Sequence, residues 1–269
     1  MTKGIEINDH DIVSLDNLAD GVIGLRILMV NVFAISGSKG WVLVDAGLPM
    51  SAGRLRRWAT FHFGETRPSA ILLTHGHFDH VGALPDLVDD WGVPAFAHPL
   101  EMPYLQGVSK YPPPDMTAGG GLMSLLAPFY PRGPIDLGND VEPLLANGKI
   151  PGLDDWKWIH TPGHTRGHVS FFRESDRTLL VGDAFCTTQA ESITSIATQK
   201  AELHGPPAYY TSDWDAAKAS VEVLADLKPQ TVAAGHGTPM SGPDVADALD
   251  ELARNFDTIA RPHHPPRAA

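Results

Sequence analysis

Six consecutive positions, HGHFDH at 75–80, carry three histidines and an aspartate. Neutral imidazole nitrogen and carboxylate oxygen are natural ligands for a borderline cation such as Zn2+. In an extended loop, positions i and i+2 point the same way, so His75 and His77 are placed to grip one ion together. Asp79 and His80 follow where the chain enters a helix, and they face a second ion beside the first. A plain polar loop with hydrogen-bonded histidines is the competing reading. Four ligand-type side chains behind a buried strand weigh against it.

Three other positions share this character. TPGHTRGH (161–168) presents His164 in a Pro/Gly turn, LLVGDAF (179–185) puts Asp183 at a strand end, and VAAGHGTP (232–239) does the same for His236. Each alone is a weak signal, because Asp and His are common at strand ends. Together they are spread as a site built from several loops along one sheet edge requires.

The elements that position them follow from periodicity and turn residues. GLRILMVNVFAI and WVLVDAG (41–47) read as neighbouring strands across SGSKG. SAGRLRRWATFHFG (51–64) reads as a helix with Ser51 as N-cap. AILLT (70–74) is a strand buried on both faces, VGALPDLVDDWG a helix, and VPAFAH (93–98) another strand. This β-α-β-α order sets the chemistry at the carboxyl end of a strand, the usual ligand position in open α/β sheets. Strands resume at 141–145, 156–161, 168–172, 178–182 and 231–235, and residues 188–228 read largely as helices, clearest over 213–227. Pro and Gly crowd 107–138 around an apolar GLMSLLAPFY. That segment is expected to be a lid placing Leu122, Met123, Leu125, Leu126, Phe129 and Tyr130 over a pocket, rather than a featureless loop. Residues 1–269 are taken as one domain, and the proline-rich RPHHPPRAA as a tail whose His263 and His264 ligate nothing.

Composition narrows the class. Asp and Glu outnumber Lys and Arg by 32 to 20, a formal charge of −12, so nucleic acid is not an expected partner. Cys186 is the one cysteine, which excludes an internal disulfide and suggests a reducing compartment. The polar start has no apolar signal core, and the longest apolar run (22–35) contains Arg26 and Asn31 and is too short for a bilayer. A cytoplasmic protein that does not engage membranes is expected.

The motifs LVDAG, HGHFDH, PGHTRGH, GDA and GHG, in that order over residues 41–237, resemble those of the metallo-β-lactamase superfamily. The resemblance implies an α/β fold, the αββα four-layer sandwich of two mixed sheets flanked by helices, with two metal ions at one rim. One ion would be held by His75, His77 and His164, the other by Asp79, His80 and His236, with Asp183 bridging. The expected cofactors are two Zn2+, with iron or manganese as alternatives. A bridging hydroxide would be the nucleophile, oriented by Asp79 as the catalytic residue. Asp45 and His168 are expected to support the ligands, although a strand-end cap and a core histidine are the plainer readings. His98, His160 and His204 read as structural or surface residues, and Cys186 as a small buried hydrophobe.

Substrate is the open question, since one fold carries many chemistries. The resemblance implies a metal-dependent hydrolase of a small ester, lactone, thioester or amide, with β-lactamase-like and glyoxalase II-like hydrolases as alternatives. β-Lactamases of this fold usually carry Cys where Asp183 stands, and glyoxalase-type enzymes hold glutathione with a basic C-terminal cluster not evident here. Lactonases often place a tyrosine shortly after the bridging aspartate, where this chain has Cys186. Tyr130, Tyr209 or Tyr210 would have to substitute, and with Phe129 they form the expected pocket. A mononuclear iron persulfide dioxygenase would use only His75, His164 and Asp183, leaving Asp79, His80 and His236 without duty. A silent metal-binding scaffold is disfavoured because no ligand position is missing. The apolar lid segment could instead pair two subunits as a homodimer.

Overall fold

In this computed structural model, residues 12–119, 121–190, 192 and 201–262 are described. Residues 193–200 of the expected helical segment, the tail with His263 and His264, and the Met123 side chain lie outside that set.

The described chain opens on four antiparallel strands, β1 (Ile12–Ala19), β2 (Val22–Ile27), β3 (Val30–Gly37) and β4 (Gly40–Val44). Sequence patterning did not suggest β1. It also ran β2 and β3 together, because the turn between them, Leu28–Met29, contains no Gly, Asn or Pro. Leu28 nevertheless takes φ 57°, the left-handed conformation a tight hairpin demands. Helix α1 (Ala52–Phe63) stands where expected, but the Ser51 hydroxyl donates to the Leu48 carbonyl at 2.6 Å instead of capping it.

Next come β5 (Ile71–Leu72), α2 (Phe78–Val81), α3 (Leu84–Trp91) and β6 (Ala95–Ala97). The single helix expected after HGHFDH is thus two, broken near Gly82, where a Cβ would strike the Leu48–Pro49 backbone. Short α4 (Met102–Leu105) and α5 (Gly121–Leu126) precede β7 (Val141–Pro143). Strands β4 to β7 pair in parallel and complete a mixed sheet in the order β1-β2-β3-β4-β5-β6-β7.

The second sheet holds β8 (Lys149–Ile150), β9 (Leu153–His160), β10 (Val169–Arg173), β11 (Thr178–Gly182), β12 (Thr231–Ala234) and β13 (Met240–Ser241). Its order is β13-β12-β11-β10-β9-β8, with only β11 and β12 parallel. Helix α6 (Trp214–Asp226) links those two strands, capped by Asp213, whose side chain accepts from the amides of Asp215 and Ala216. Of residues 201–228, only this stretch and a single 3-10 turn at Ala208–Tyr210 are helical, a narrower extent than the sequence suggested. Helices α7 (Asp244–Arg254) and α8 (Phe256–Ile259) follow.

Alternation along the strands creates the layers. On β4, Val42 and Val44 enter the core between the sheets, while Trp41 and Leu43 pack outward with α1 and α3. On β10, Phe171 points inward and Phe172 outward toward α6 and α7. Each fully buried Leu, Ile or Phe contributes about 1.5–3 kcal/mol, so three such cores firmly fix the two sheets. The result is a helix–sheet–sheet–helix sandwich. The carboxyl ends of β4, β5, β11 and β12 meet along one rim.

Candidate metal centre

That rim gathers the expected residues. His75 follows β5, Asp183 follows β11, His236 follows β12, and α2 carries Asp79 and His80. His164 arrives from the turn between β9 and β10. Three groups each bring ligand-type atoms within 4.8 Å of one another: His75, His77 and His164; His75, His80 and Asp183; Asp79, His80 and His236. His77 Nδ1 lies 3.0 Å from His75 Nε2 and 2.9 Å from His164 Nε2. The Asp183 carboxylate spans the groups, with Oδ2 3.3 Å from His236 Nε2 and 3.5 Å from His164 Nε2, and Oδ1 3.5 Å from His80 Nε2. Asp79 Oδ2 is 3.5 Å from His236 Nε2. Gly235 is required here, since a Cβ would collide with Asp183 Oδ1 and the His80 ring.

Proton accounting shows what such a cluster wants. The Asp45 carboxylate, 2% exposed, accepts His80 Nδ1–H at 2.8 Å. Thr74 also gives its hydroxyl proton to Asp45, so the same oxygen accepts from His75 Nδ1 at 3.1 Å. Thr211 donates to the Pro207 carbonyl and accepts from His164 Nδ1 at 3.4 Å. His236 Nδ1 donates to the Met29 carbonyl at 2.9 Å. In all four rings the proton is committed on the far nitrogen, and the Nε2 lone pair faces the cluster. His80 Nε2 and Asp183 Oδ1 are buried without a hydrogen-bond partner. Converging lone pairs in a dry site repel one another unless a cation lies among them. The donor set, nitrogens plus carboxylate oxygens, fits divalent metal.

Protonation follows the same logic. Burial, reinforced by neighbouring histidines, holds His75 and His164 well below the ordinary imidazole range and His77 at about 3. Burial acts the same way on His80 and His236, but Asp183 outweighs it, helped by Asp45 at His80 and Asp79 at His236; His80 ends well raised and His236 at about 8. Without metal, protons supply the positive charge that Asp183 demands. Metal binding releases them.

The metallo-beta-lactamase superfamily model matches residues 25–236, most of the chain. The chain is 44% identical over 245 residues to a probable metallo-hydrolase, YflN of Bacillus subtilis, covering 90% of this chain and 93% of that protein.

The chain belongs to the metallo-β-lactamase superfamily.

Among solved structures, TTHA1623 in a di-iron-bound form is 28% identical with a TM-score of 0.56, over 84% of this chain and 93% of that one. Rm3 metallo-beta-lactamase, 18% identical, has a TM-score of 0.63 over 92% of each chain, which shows the shared fold. Within this superfamily scaffold, His168 stands apart from the metal cluster. Its Nε2 accepts the Asp183 backbone N–H at 2.8 Å and its Nδ1 donates to Thr161 Oγ1 at 2.8 Å, so it fixes the strand end that carries Asp183. Burial lowers it to about 3, and it stays neutral.

A cavity of about 380 Å3 opens beside His77 and His164, lined in part by Tyr104, Tyr111, Tyr209 and Tyr210. Tyr210 packs its ring 4.7 Å from that of His77. Tyr130 stacks near Phe78 at 5.3 Å, on the rim. Phe129, on the 3-10 turn at Ala127–Phe129 that buries Ala127, is 83% exposed, and neither it nor Tyr130 is among the residues lining this cavity. Leu122 and Leu125 on α5 are also exposed, at 47% and 61%.

Two supporting residues gave no signal in the sequence. Glu101, wholly buried, accepts from Gly76 N–H (3.0 Å), Gly167 N–H (2.9 Å), Thr165 Oγ1 (2.8 Å) and the Tyr111 hydroxyl. It thereby ties the HGHFDH loop to the turn bearing His164. Asn31, also buried, donates to the carbonyls of Ala234 (2.9 Å) and Gly237 (2.7 Å) and braces the turn that presents His236. Cys186 is fully buried, as expected of a small hydrophobe. His98 and His160 stack on each other, centroids 4.2 Å apart, away from the rim. No helix among the described residues is long and apolar enough to cross a membrane.

Proposed function

We propose that this chain, a metal-dependent hydrolase of the metallo-β-lactamase superfamily, holds two zinc ions and cleaves a small acyl substrate such as an ester, lactone or thioester. The observation that carries this reading is a chain of three donor groups, in which the middle one, His75, His80 and Asp183, shares His75 with the group of His77 and His164 and His80 with the group of Asp79 and His236. His75, His77 and His164 would hold one ion and Asp79, His80 and His236 the other, with Asp183 within reach of both groups. When bound, the ions supply Lewis acidity, which lowers the pKa of water and polarises an acyl carbonyl.

The chain's own residues do the rest. Asp45, Thr74, Thr211 and the Met29 carbonyl keep the four imidazoles in the one tautomer that offers Nε2 to the site. Asp79 has its carboxyl pushed up by burial, with Asp183 adding to the shift. It orients the attacking water, takes its proton and returns that proton to the leaving oxygen or sulfur. Water adds to the acyl carbon, the bond to the leaving group breaks, and an acid and an alcohol or thiol depart. Tyr210 packs its ring beside His77, and its hydroxyl donates to the Ala127 carbonyl at 3.4 Å; burial, then the charge of Asp79, raises its pKa, so the phenol stays protonated. The 107–138 segment acts as the lid through Tyr111, Pro112, Pro113 and Asp115, which line the cavity, with α5 on its outer side.

A panel of aryl esters, lactones, thioesters, β-lactams and phosphodiesters, run on zinc-loaded protein with Asp183→Asn as blank, tests this. Turnover of an acyl class by the parent and not the blank is expected. Absence of acyl hydrolysis with two ions bound would overturn it. Iron is the second reading of the metal, because TTHA1623 binds two iron ions in its structure. Metal analysis of the protein as purified decides between them.

A further inference from the structure

The cavity beside His77 and His164 is one-sided in its chemistry. Tyrosine rings form much of its wall, Pro112 and Pro113 stiffen its outer edge, and Arg166 stands at its mouth. Arg166 is the only lysine or arginine among the described residues lining it. It is exposed, and its guanidinium makes no hydrogen bond or ion pair among the described residues. Its backbone, by contrast, is fixed: the Arg166 carbonyl accepts from His160 Nε2 at 2.9 Å, and the adjacent Gly167 amide is held by Glu101. The cation is therefore carried on a rigid turn, two residues after His164.

The other charged groups nearby are held in place by neutral partners, which fix their positions and leave their charges. Asp115 spends Oδ1 on the amide (2.8 Å) and hydroxyl (2.6 Å) of Thr117, and Arg132 donates to the Tyr111 carbonyl at 3.2 Å. A chain with a formal charge of −12 repels anions over most of its surface. At this aromatic cavity beside the metal centre the unpaired Arg166 guanidinium supplies a positive charge, with Asp115 the one carboxylate among the described residues that line it. Guanidinium forks recognise carboxylates by paired hydrogen bonds, and tyrosine faces accept flat or apolar bodies.

We propose that this cavity selects an acyl substrate with an aromatic or apolar body and a free carboxylate, the body lying among the tyrosines and the carboxylate on Arg166. This deepens the hydrolase reading and rests on it for the reaction, though not for the binding.

The test uses full-length, zinc-loaded protein and two matched esters, monophenyl succinate and its neutral methyl ester, with phenylacetate as a non-hydrolysable ligand. The parent should prefer the anionic ester. Arg166→Ala should raise KM for it about 10- to 100-fold, the span of one charged hydrogen bond, with kcat and zinc content nearly unchanged. KM for the neutral ester should stay within about twofold. Arg166→Lys should restore part of the preference, and Arg166→Glu should reverse it. Calorimetry should show phenylacetate binding weakened in Arg166→Ala by a comparable factor. Equal preference in parent and Arg166→Ala, or equal phenylacetate affinity, would overturn the proposal. If neither ester is cleaved, the calorimetric comparison alone sustains or overturns the carboxylate site, and the wider acyl panel decides the hydrolase reading.

Discussion

Replacing Glu101 with Gln should separate the two metal loops that it joins. Its Oε2 faces Gly76 N–H and the Tyr111 hydroxyl, and its Oε1 faces Thr165 and Gly167. Burial pushes its carboxyl up, and the four donors hold it partway back. A glutamine offers one oxygen, so whichever way the amide turns, two donors meet an NH2. Hydrogen bonds to a charged acceptor are worth about 1.5–3 kcal/mol each. Losing two and weakening two, offset by the relieved cost of burying a charge, gives about 2–4 kcal/mol of destabilisation. For a chain of this size that is a fall of roughly 5–10 °C in Tm. Affinity for the ion at His75, His77 and His164 should drop about 10- to 100-fold, as for other residues that orient ligands, while the other ion is less affected. Calorimetric zinc titration and thermal melts measure both. Leu249→Ala, in the distant core of α6 and α7, serves as control: it should cost about 2–5 kcal/mol and leave zinc affinity unchanged. A Glu101→Gln protein with unchanged Tm and zinc affinity would refute the clamp. Equal loss of affinity in the control would refute its specificity.

Asp183→Asn should lose at least one ion and nearly all turnover; unchanged metal content by mass spectrometry would refute the bridging role. Asn31→Ala strips the Ala234 and Gly237 carbonyls of buried donors, costing about 1–3 kcal/mol and loosening the turn of His236; unchanged urea unfolding would count against the brace. Replacing 112–134 with a short Gly/Ser linker should change KM and substrate preference more than zinc stoichiometry, and a collapse of zinc binding instead would contradict the lid. His98, lowered by burial and then His160 to about 4, is protonated first in the unfolded chain, so it costs stability as pH falls from about 6.5 through 4. His98→Gln should flatten the melting profile across that window and leave it unchanged above pH 7; identical profiles for the two proteins would refute the assignment.

The candidate site was legible because its residues are unusual types at strand ends, in short motifs that survive without knowledge of the fold. HGHFDH declares itself locally. His164, Asp183 and His236 gain meaning only when the strands before them are read as neighbours. Glu101 and Asn31 stayed invisible for the opposite reason. Each is one common residue whose partners lie far away in sequence, up to 66 positions for Glu101 and 206 for Asn31. Apolar character says nothing about direction, and at Phe129 one 3-10 turn sets it. The β2–β3 hairpin was hidden because Leu28 supplies a left-handed turn without the residues that normally announce one. The layers were legible through the resemblance and not through patterning, since Trp41 to Val44 of β4 and all of β10 are buried on both faces.

Anomalous diffraction at the zinc edge from zinc-loaded crystals tests the central claim most directly. Two peaks are predicted, one among His75, His77 and His164, the other among Asp79, His80 and His236, with Asp183 reaching both. A single peak, or density remote from Asp183, would contradict it.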